Sequence, residues 1–142
     1  MSGNREIKQC AEAFIYEGGK VLIARRAESE GVLVGYWEVV GGGVEDGESV
    51  EEAVVREACE ESGLKIVCGD TFHNFSFNLT DGTPMNSYAF MCTASGITDV
   101  ILNEEHDEYR WIGEEELDSV EPMTDKMRGL IKAGFKYVNI NK

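Results

Sequence analysis

The chain has 142 residues, the size of one domain, long enough to bury a core and too short for two comfortable ones. Hydrophobic residues make up 42% and charged residues 28%, with 2 Pro, a balance that excludes disordered and fibrous chains. Acidic side chains outnumber basic ones 27 to 13, and the net charge of −14 repels a phosphate backbone, which excludes nucleic-acid polymers as partners.

Four cysteines, Cys10, Cys59, Cys68 and Cys92, form no C-x-x-C pair and read as reduced core thiols rather than disulfides or zinc ligands. The opening MSGNREIKQC has no apolar signal core, and no run approaches the ~18 apolar residues of a membrane helix. The expectation is a cytoplasmic protein of one domain, residues 1–142, without membrane contact.

In chain order, Cys10 to Tyr16 reads as a strand, Glu17-Gly18-Gly19-Lys20 as a turn, and Val21-Leu22-Ile23-Ala24 as the returning strand of a hairpin. After a loop with Gly31 and Gly35, Trp37 to Val40 predicts a short strand ending at Gly41-Gly42-Gly43, where the backbone can approach something closely. Ser49 with Glu52 forms a capping box and Gly63 a stop, so a helix is expected from Ser49 to about Ser62, with Val50, Val54 and Ala58 on its buried side.

Phe75, Phe77 and Leu79 alternate before Asp81-Gly82, and Tyr88 to Cys92 resumes, predicting a second hairpin. A strand around Tyr109 to Ile112, a short Glu-rich helix near Leu117 and a last helix from about Thr124 to Ala133 complete the series. Interleaved strands and helices predict an α/β fold with helices packed on a mixed sheet.

On the first helix Glu57, Glu60 and Glu61 stand at i, i+3 and i+4, within an arc of about 100°. Like charges at this spacing repel, and a divalent cation converts the repulsion to attraction. All-oxygen ligands suit Mg²⁺ or Mn²⁺ better than zinc. An E-x-x-E-E alone is also an ordinary solvated helix face.

The longer pattern decides between these. From Gly42 to Leu64 the sequence GGVEDGESVEEAVVREACEESGL sets Gly42, Glu48, Arg56, Glu57, Ala58, Glu60, Glu61, Gly63 and Leu64 in the order G-x5-E-x7-R-E-U-x-E-E-x-G-U. This resembles the box of the Nudix hydrolases, the MutT-like family, at every specified position; chance would produce it in roughly one such sequence in 10⁵. Looser similarity, in Arg25-Arg26, Trp37-Glu38 and the later E-H-x-E-Y-R-W stretch, extends from about residue 10 to 118. Val40 departs from the family, many of whose members carry Pro there.

The resemblance implies a Nudix-type α/β/α sandwich and hydrolysis of the diphosphate linkage in a nucleoside triphosphate or other nucleoside-diphosphate derivative. It implies that the carbonyl of Gly41 and the carboxylates of Glu57, Glu60 and Glu61 bind Mg²⁺ or Mn²⁺, with Arg56 pairing Glu48 to orient Glu57. Read without the family, Arg56 is a surface partner of Glu60 or Glu52.

The resemblance also implies that the base taking the water's proton is a box glutamate or a later loop glutamate. Glu105 is the loop candidate and a further metal ligand, with Glu104 and Glu108 close enough to compete. Arg26 is the candidate phosphate contact, against a plain strand-end cap. His73 and His106 read as too isolated to be ligands, and Trp37, Phe75 and Trp111 as core rather than base-stacking residues.

Two other readings are a Nudix fold that only senses a nucleotide and one that acts on a non-nucleotide diphosphate such as a prenyl diphosphate. The first predicts a missing carboxylate and the second a histidine cluster; neither is in the sequence. Subfamily marks are also absent: no Tyr lies among Thr80, Asp81 and Gly82, as diadenosine-polyphosphate hydrolases tend to have, and Leu79 stands where ADP-ribose hydrolases tend to carry Pro. Base, sugar, number of metal ions and the choice between monomer and homodimer stay open at this point.

Overall fold

The computed structural model describes residues 7–95 and 99–141. Its strands are β1 (Lys8–Glu17), β2 (Lys20–Arg26), β3 (Trp37–Glu38), β4 (Val40–Gly43), β5 (Ile66–Asn78), β6 (Pro84–Ala94) and β7 (His106–Ile112), and its helices are α1 (Val50–Ser62) and α2 (Asp125–Ile140). Short 3₁₀ turns lie at Glu28–Glu30 and Glu114–Ser119. One seven-stranded sheet carries the order β3-β2-β1-β6-β5, with β4 paired to β1 and β7 to β2. β1 runs parallel to β6 and every other pairing is antiparallel, so the sheet is mixed.

Strand alternation divides the core in two. Ala11, Ala13 and Ile15 of β1 and Leu22 and Ala24 of β2 pack with Ala53, Val54 and Ala58 of α1. The intervening Phe14, Val21 and Ile23 pack on the other side with Leu130, Ile131 and Phe135 of α2. The helices therefore cover opposite faces, an α/β/α sandwich. Burying each large aliphatic side chain is worth about 1.5–3 kcal/mol, against about 1 kcal/mol or less for an exposed ion pair, so these contacts fix where α1 lies. Among the described residues no helix is long and apolar enough to cross a membrane.

The sequence signals bound α1 closely. Ser49 Oγ accepts from the Glu52 N–H at 3.0 Å, Glu52 Oε1 accepts from the Ser49 N–H at 2.8 Å, and Gly63 ends the helix at φ 74°. Several elements differ from expectation: β5 and β6 begin earlier, at Ile66 and Pro84, and two more differences involve glycines. The glycines do not follow a strand but form one, with Gly41, Gly42 and Gly43 opposite Glu12, Ala11 and Cys10 of β1. The last helix continues seven residues past Ala133, through Gly134, to Ile140. Gly134 lies inside the helix, where a Cβ would overlap the Phe14 ring that packs against it.

Candidate active site

At the edge of β4 a cleft of about 240 Å³ is lined by the glycines of β4, Glu57 and Glu61 of α1, Arg26 of β2, Glu38 of β3, Glu30, and Glu105 and His106 at the start of β7. Each lining element is held by identifiable contacts. A Cβ at Gly42 would come within 2.6 Å of the Glu57 carboxyl, so only glycine lets that carboxylate reach the β4 backbone. The Gly41 N–H donates to Glu61 Oε1 at 3.3 Å. Across the cleft, the Ala27 N–H donates to the Glu105 carbonyl at 2.8 Å and Ser29 Oγ to the Glu104 carbonyl at 2.9 Å, pinning the Glu105 loop to the end of β2.

The carboxylates of Glu57, Glu61 and Glu105 offer oxygens within 4.8 Å of one another. Among the described residues no other group of three or more Asp, Glu, His or Cys converges in this way. Glu61 is only 3% exposed, and its carboxyl pKa is driven well above the usual range by burial, then by hydrogen bonding with Glu57 and the charge of Glu105. Ionising the buried Glu61 beside these acids is disfavoured, and a bound cation would relieve that. An all-oxygen, partly buried donor set of this kind fits a hard divalent cation.

Glu60 does not join this group. Its side chain is 53% exposed and lies 3.2 Å from Arg56. Glu60 and Glu61 point about 100° apart on the helix, and only the Glu61 edge of the arc faces the sheet. Of the loop acids, Glu105 enters the cluster, whereas Glu108 pairs with Arg25 at 3.3 Å on the surface and Glu104 is exposed.

Arg56 links the box together. Its Nε and Nη2 donate to both oxygens of Glu48 at 2.8 and 3.0 Å, Nη2 also donates to the Gly43 carbonyl at 3.0 Å, and Nη1 donates to Glu57 at 2.8 Å. The guanidinium thus ties the glycine strand to α1, with Glu60 as an additional partner. Arg56's hydrogen bonds hold the Glu48 carboxyl down to about 2, with help from the Glu45 N–H. A depressed carboxylate stabilises the fold above its unfolded value near 4.5 and loses that contribution as pH falls towards 2. Glu48→Gln is therefore expected to lower the melting temperature at pH 7 and to converge on the wild type as pH drops through that window. Identical melting curves at pH 7 would show that the brace contributes nothing.

Arg26 lies on the cleft rim but is not free: Nη1 meets Glu38 at 3.3 Å, Nε donates to the Val32 carbonyl at 3.1 Å, and Glu30 is 3.7 Å away. His106 Nε2 lies 2.9 Å from Glu38 Oε2, and His106 Nδ1 lies 3.8 Å from Glu61 Oε1. His73 is on β5 beside Phe72 and Phe75. Trp37 is buried, with Arg25 and Arg110 over its ring.

Three residues near the site were not identified as site residues from the sequence. Glu12 of β1 sits opposite Gly41, and its carboxyl is pushed well up by burial and by the charges of Glu38 and Glu57, against Arg26. Its signal was a single charge inside the apolar run from Cys10 to Ile15. Glu38 and His106 meet across 68 residues, a contact that no local pattern announces. Burial, then the charges of Glu12 and Glu57, pushes the neighbouring Cys10 thiol up to about 12, so it stays a protonated thiol at neutral pH.

Comparison with known proteins matches this arrangement. The NUDIX domain profile matches residues 9–133. The nucleoside triphosphatase NudI of Salmonella agona is 35% identical over 113 residues, covering 72% of this chain and 79% of its own. The crystal structure of the MutT protein from Methanosarcina mazei Go1 superposes with a TM-score of 0.79 at 31% identity, over 97% of this chain and 99% of its own. The solution structure of the E. coli ORF135 protein superposes at 0.78 with 26% identity, over 100% and 97%. With the profile spanning most of its length and two box glutamates, Glu57 and Glu61, gathered on one cleft, the chain belongs to the Nudix family of hydrolases.

Proposed function

We propose that this enzyme hydrolyses the diphosphate linkage of a nucleoside triphosphate, or of another nucleoside-diphosphate derivative, using Mg²⁺ or Mn²⁺ held by Glu57, Glu61, Glu105 and the carbonyl of Gly41. The observation that carries this is the convergence of three carboxylates within 4.8 Å on a cleft that also holds Arg26. The similarity to a protein named nucleoside triphosphatase supports the nucleotide part of the reading. The intact carboxylate set supports cleavage over mere binding. His73 and His106 occupy different parts of the fold, which gives no support to a histidine-rich prenyl diphosphate site.

In this reading Arg26 binds a phosphate oxygen from the rim, exchanging part of its pairing with Glu38 for the ligand. When bound, the cation neutralises charge on the phosphoryl oxygens and acidifies the attacking water. Glu105, on its pinned loop, accepts that water's proton. Arg56 and Glu48 keep Glu57 aimed at the cleft, and Glu60 flanks the cluster from the solvent side. With a net charge of −14, the protein relies on the cation and Arg26 to make this one cleft attractive to a polyphosphate.

A panel of nucleoside triphosphates and nucleoside diphosphate derivatives, incubated with Mg²⁺ or Mn²⁺ and resolved by chromatography, tests the reading. A triphosphate substrate is expected to yield a monophosphate and diphosphate. Orthophosphate as the sole primary product would overturn it.

A further inference from the structure

We infer that His106 is a positioning residue that sets Glu61 by spanning the gap between it and Glu38, coupling the arginine side of the cleft to the carboxylate side. The inference rests on the reading of Glu57, Glu61 and Glu105 as cation ligands. The His106 side chain is 2% exposed, and both its ring nitrogens face carboxylate oxygens: Nε2 is 2.9 Å from Glu38 Oε2, and Nδ1 is 3.8 Å from Glu61 Oε1. Nδ1 is buried without a hydrogen-bond partner, an arrangement that native interiors avoid. Glu61 Oε1 is the carboxylate oxygen it faces, at 3.8 Å, and a small shift of either side chain closes the contact.

The rest of the surroundings give the ring its leverage. Glu38 is anchored by Arg26 Nη1, which donates to its Oε1 at 3.4 Å and its Oε2 at 3.3 Å, so the ring rests against a fixed carboxylate. Glu61 is held through the same Oε1 by the Gly41 N–H at 3.3 Å. The imidazole is therefore a rigid spacer between two anchored carboxylates, in a series of contacts from Arg26 through Glu38, His106 and Glu61 to Gly41. It fixes the distance between the residue placed at the phosphate and the carboxylates placed at the cation. Partners behind a ligand orient it and commonly change metal affinity by about 10- to 100-fold when removed.

The test uses Mn²⁺ alone, with free Mn²⁺ measured by electron spin resonance on the full chain without nucleotide. His106→Phe keeps a ring and removes both nitrogens; it is expected to weaken Mn²⁺ binding about 10-fold or more. His106→Gln, which retains a polar end, is expected to recover part of the loss and serves in place of His106→Phe should that variant not fold. Glu61→Gln alone must also weaken Mn²⁺ binding. If it does not, the ligand reading itself is wrong. If it does while both His106 variants bind Mn²⁺ as the wild type does, the positioning role is overturned. A double variant, His106→Phe with Glu61→Gln, is expected to bind no worse than Glu61→Gln alone, since the histidine acts through Glu61; fully additive losses would also overturn the inference.

Discussion

Excess EDTA is expected to abolish turnover, and added Mg²⁺ or Mn²⁺ to restore it. The cluster of Glu57, Glu61 and Glu105 contains no nitrogen or sulfur donor within its 4.8 Å span and gathers acids around a buried member. Without a cation the folded state answers that crowding by keeping a proton on Glu61, whose pKa is raised chiefly by burial. A carboxyl raised above its unfolded value of 4.5 stabilises the cation-free fold at low pH, and that contribution is lost as pH rises towards the folded value. Cation binding displaces the proton and removes the penalty, so the gain in melting temperature on adding Mg²⁺ should grow as pH is raised from about 5 to 8. At about 100 times the dissociation constant, linkage contributes about 2.7 kcal/mol. For a domain of this length that is a rise on the order of 10 °C. Calorimetry with and without EDTA across that range measures it. Full activity in EDTA, or a Mg²⁺ effect that shrinks with rising pH, would exclude the cluster as the cation site.

How much of this was legible beforehand depended on the distance over which each feature is determined. The helix bearing the glutamates was bounded by Ser49, Glu52 and Gly63 because capping is a local interaction, and the structure shows those contacts. The role of the glycines was only half visible. Close approach was readable from three in a row, but their strand pairing with β1 is made by backbone groups that leave no mark on side-chain pattern. The last helix, expected to end at about Ala133, runs on through Gly134, whose place there depends on the Phe14 ring arriving from more than a hundred residues away.

Helical period placed Glu57, Glu60 and Glu61 together on one arc. Which edge of the arc is buried depends on where the sheet lies, and that turned Glu61 inward and left Glu60 with Arg56. His106 looked isolated because its partners are Glu38 and Glu61, 68 and 45 residues earlier. Neither lies within a helical or strand repeat of it.

Glu61→Gln is expected to reduce kcat by about 10³-fold or more, a loss of roughly 4 kcal/mol of transition-state stabilisation, while leaving the fold intact. The amide has the shape of the carboxyl, and at 3% exposure shape matters. Because burial already favours an uncharged Glu61 when no cation is bound, a neutral Gln costs the cation-free fold little and should leave its melting temperature in EDTA unchanged or raised at neutral pH. What it removes is the charge that draws the cation into the cleft beside Glu57. Glu105→Gln should cost less, about 10- to 100-fold, since a proton acceptor on a loop can be partly replaced by solvent or a neighbouring acid. Measuring kcat for both variants at saturating Mg²⁺, with melting curves in EDTA alongside, separates the roles. A Glu61→Gln enzyme within a few-fold of the wild type would take the helix carboxylates out of the mechanism and return them to an ordinary acidic surface, whatever the rest of the box resembles.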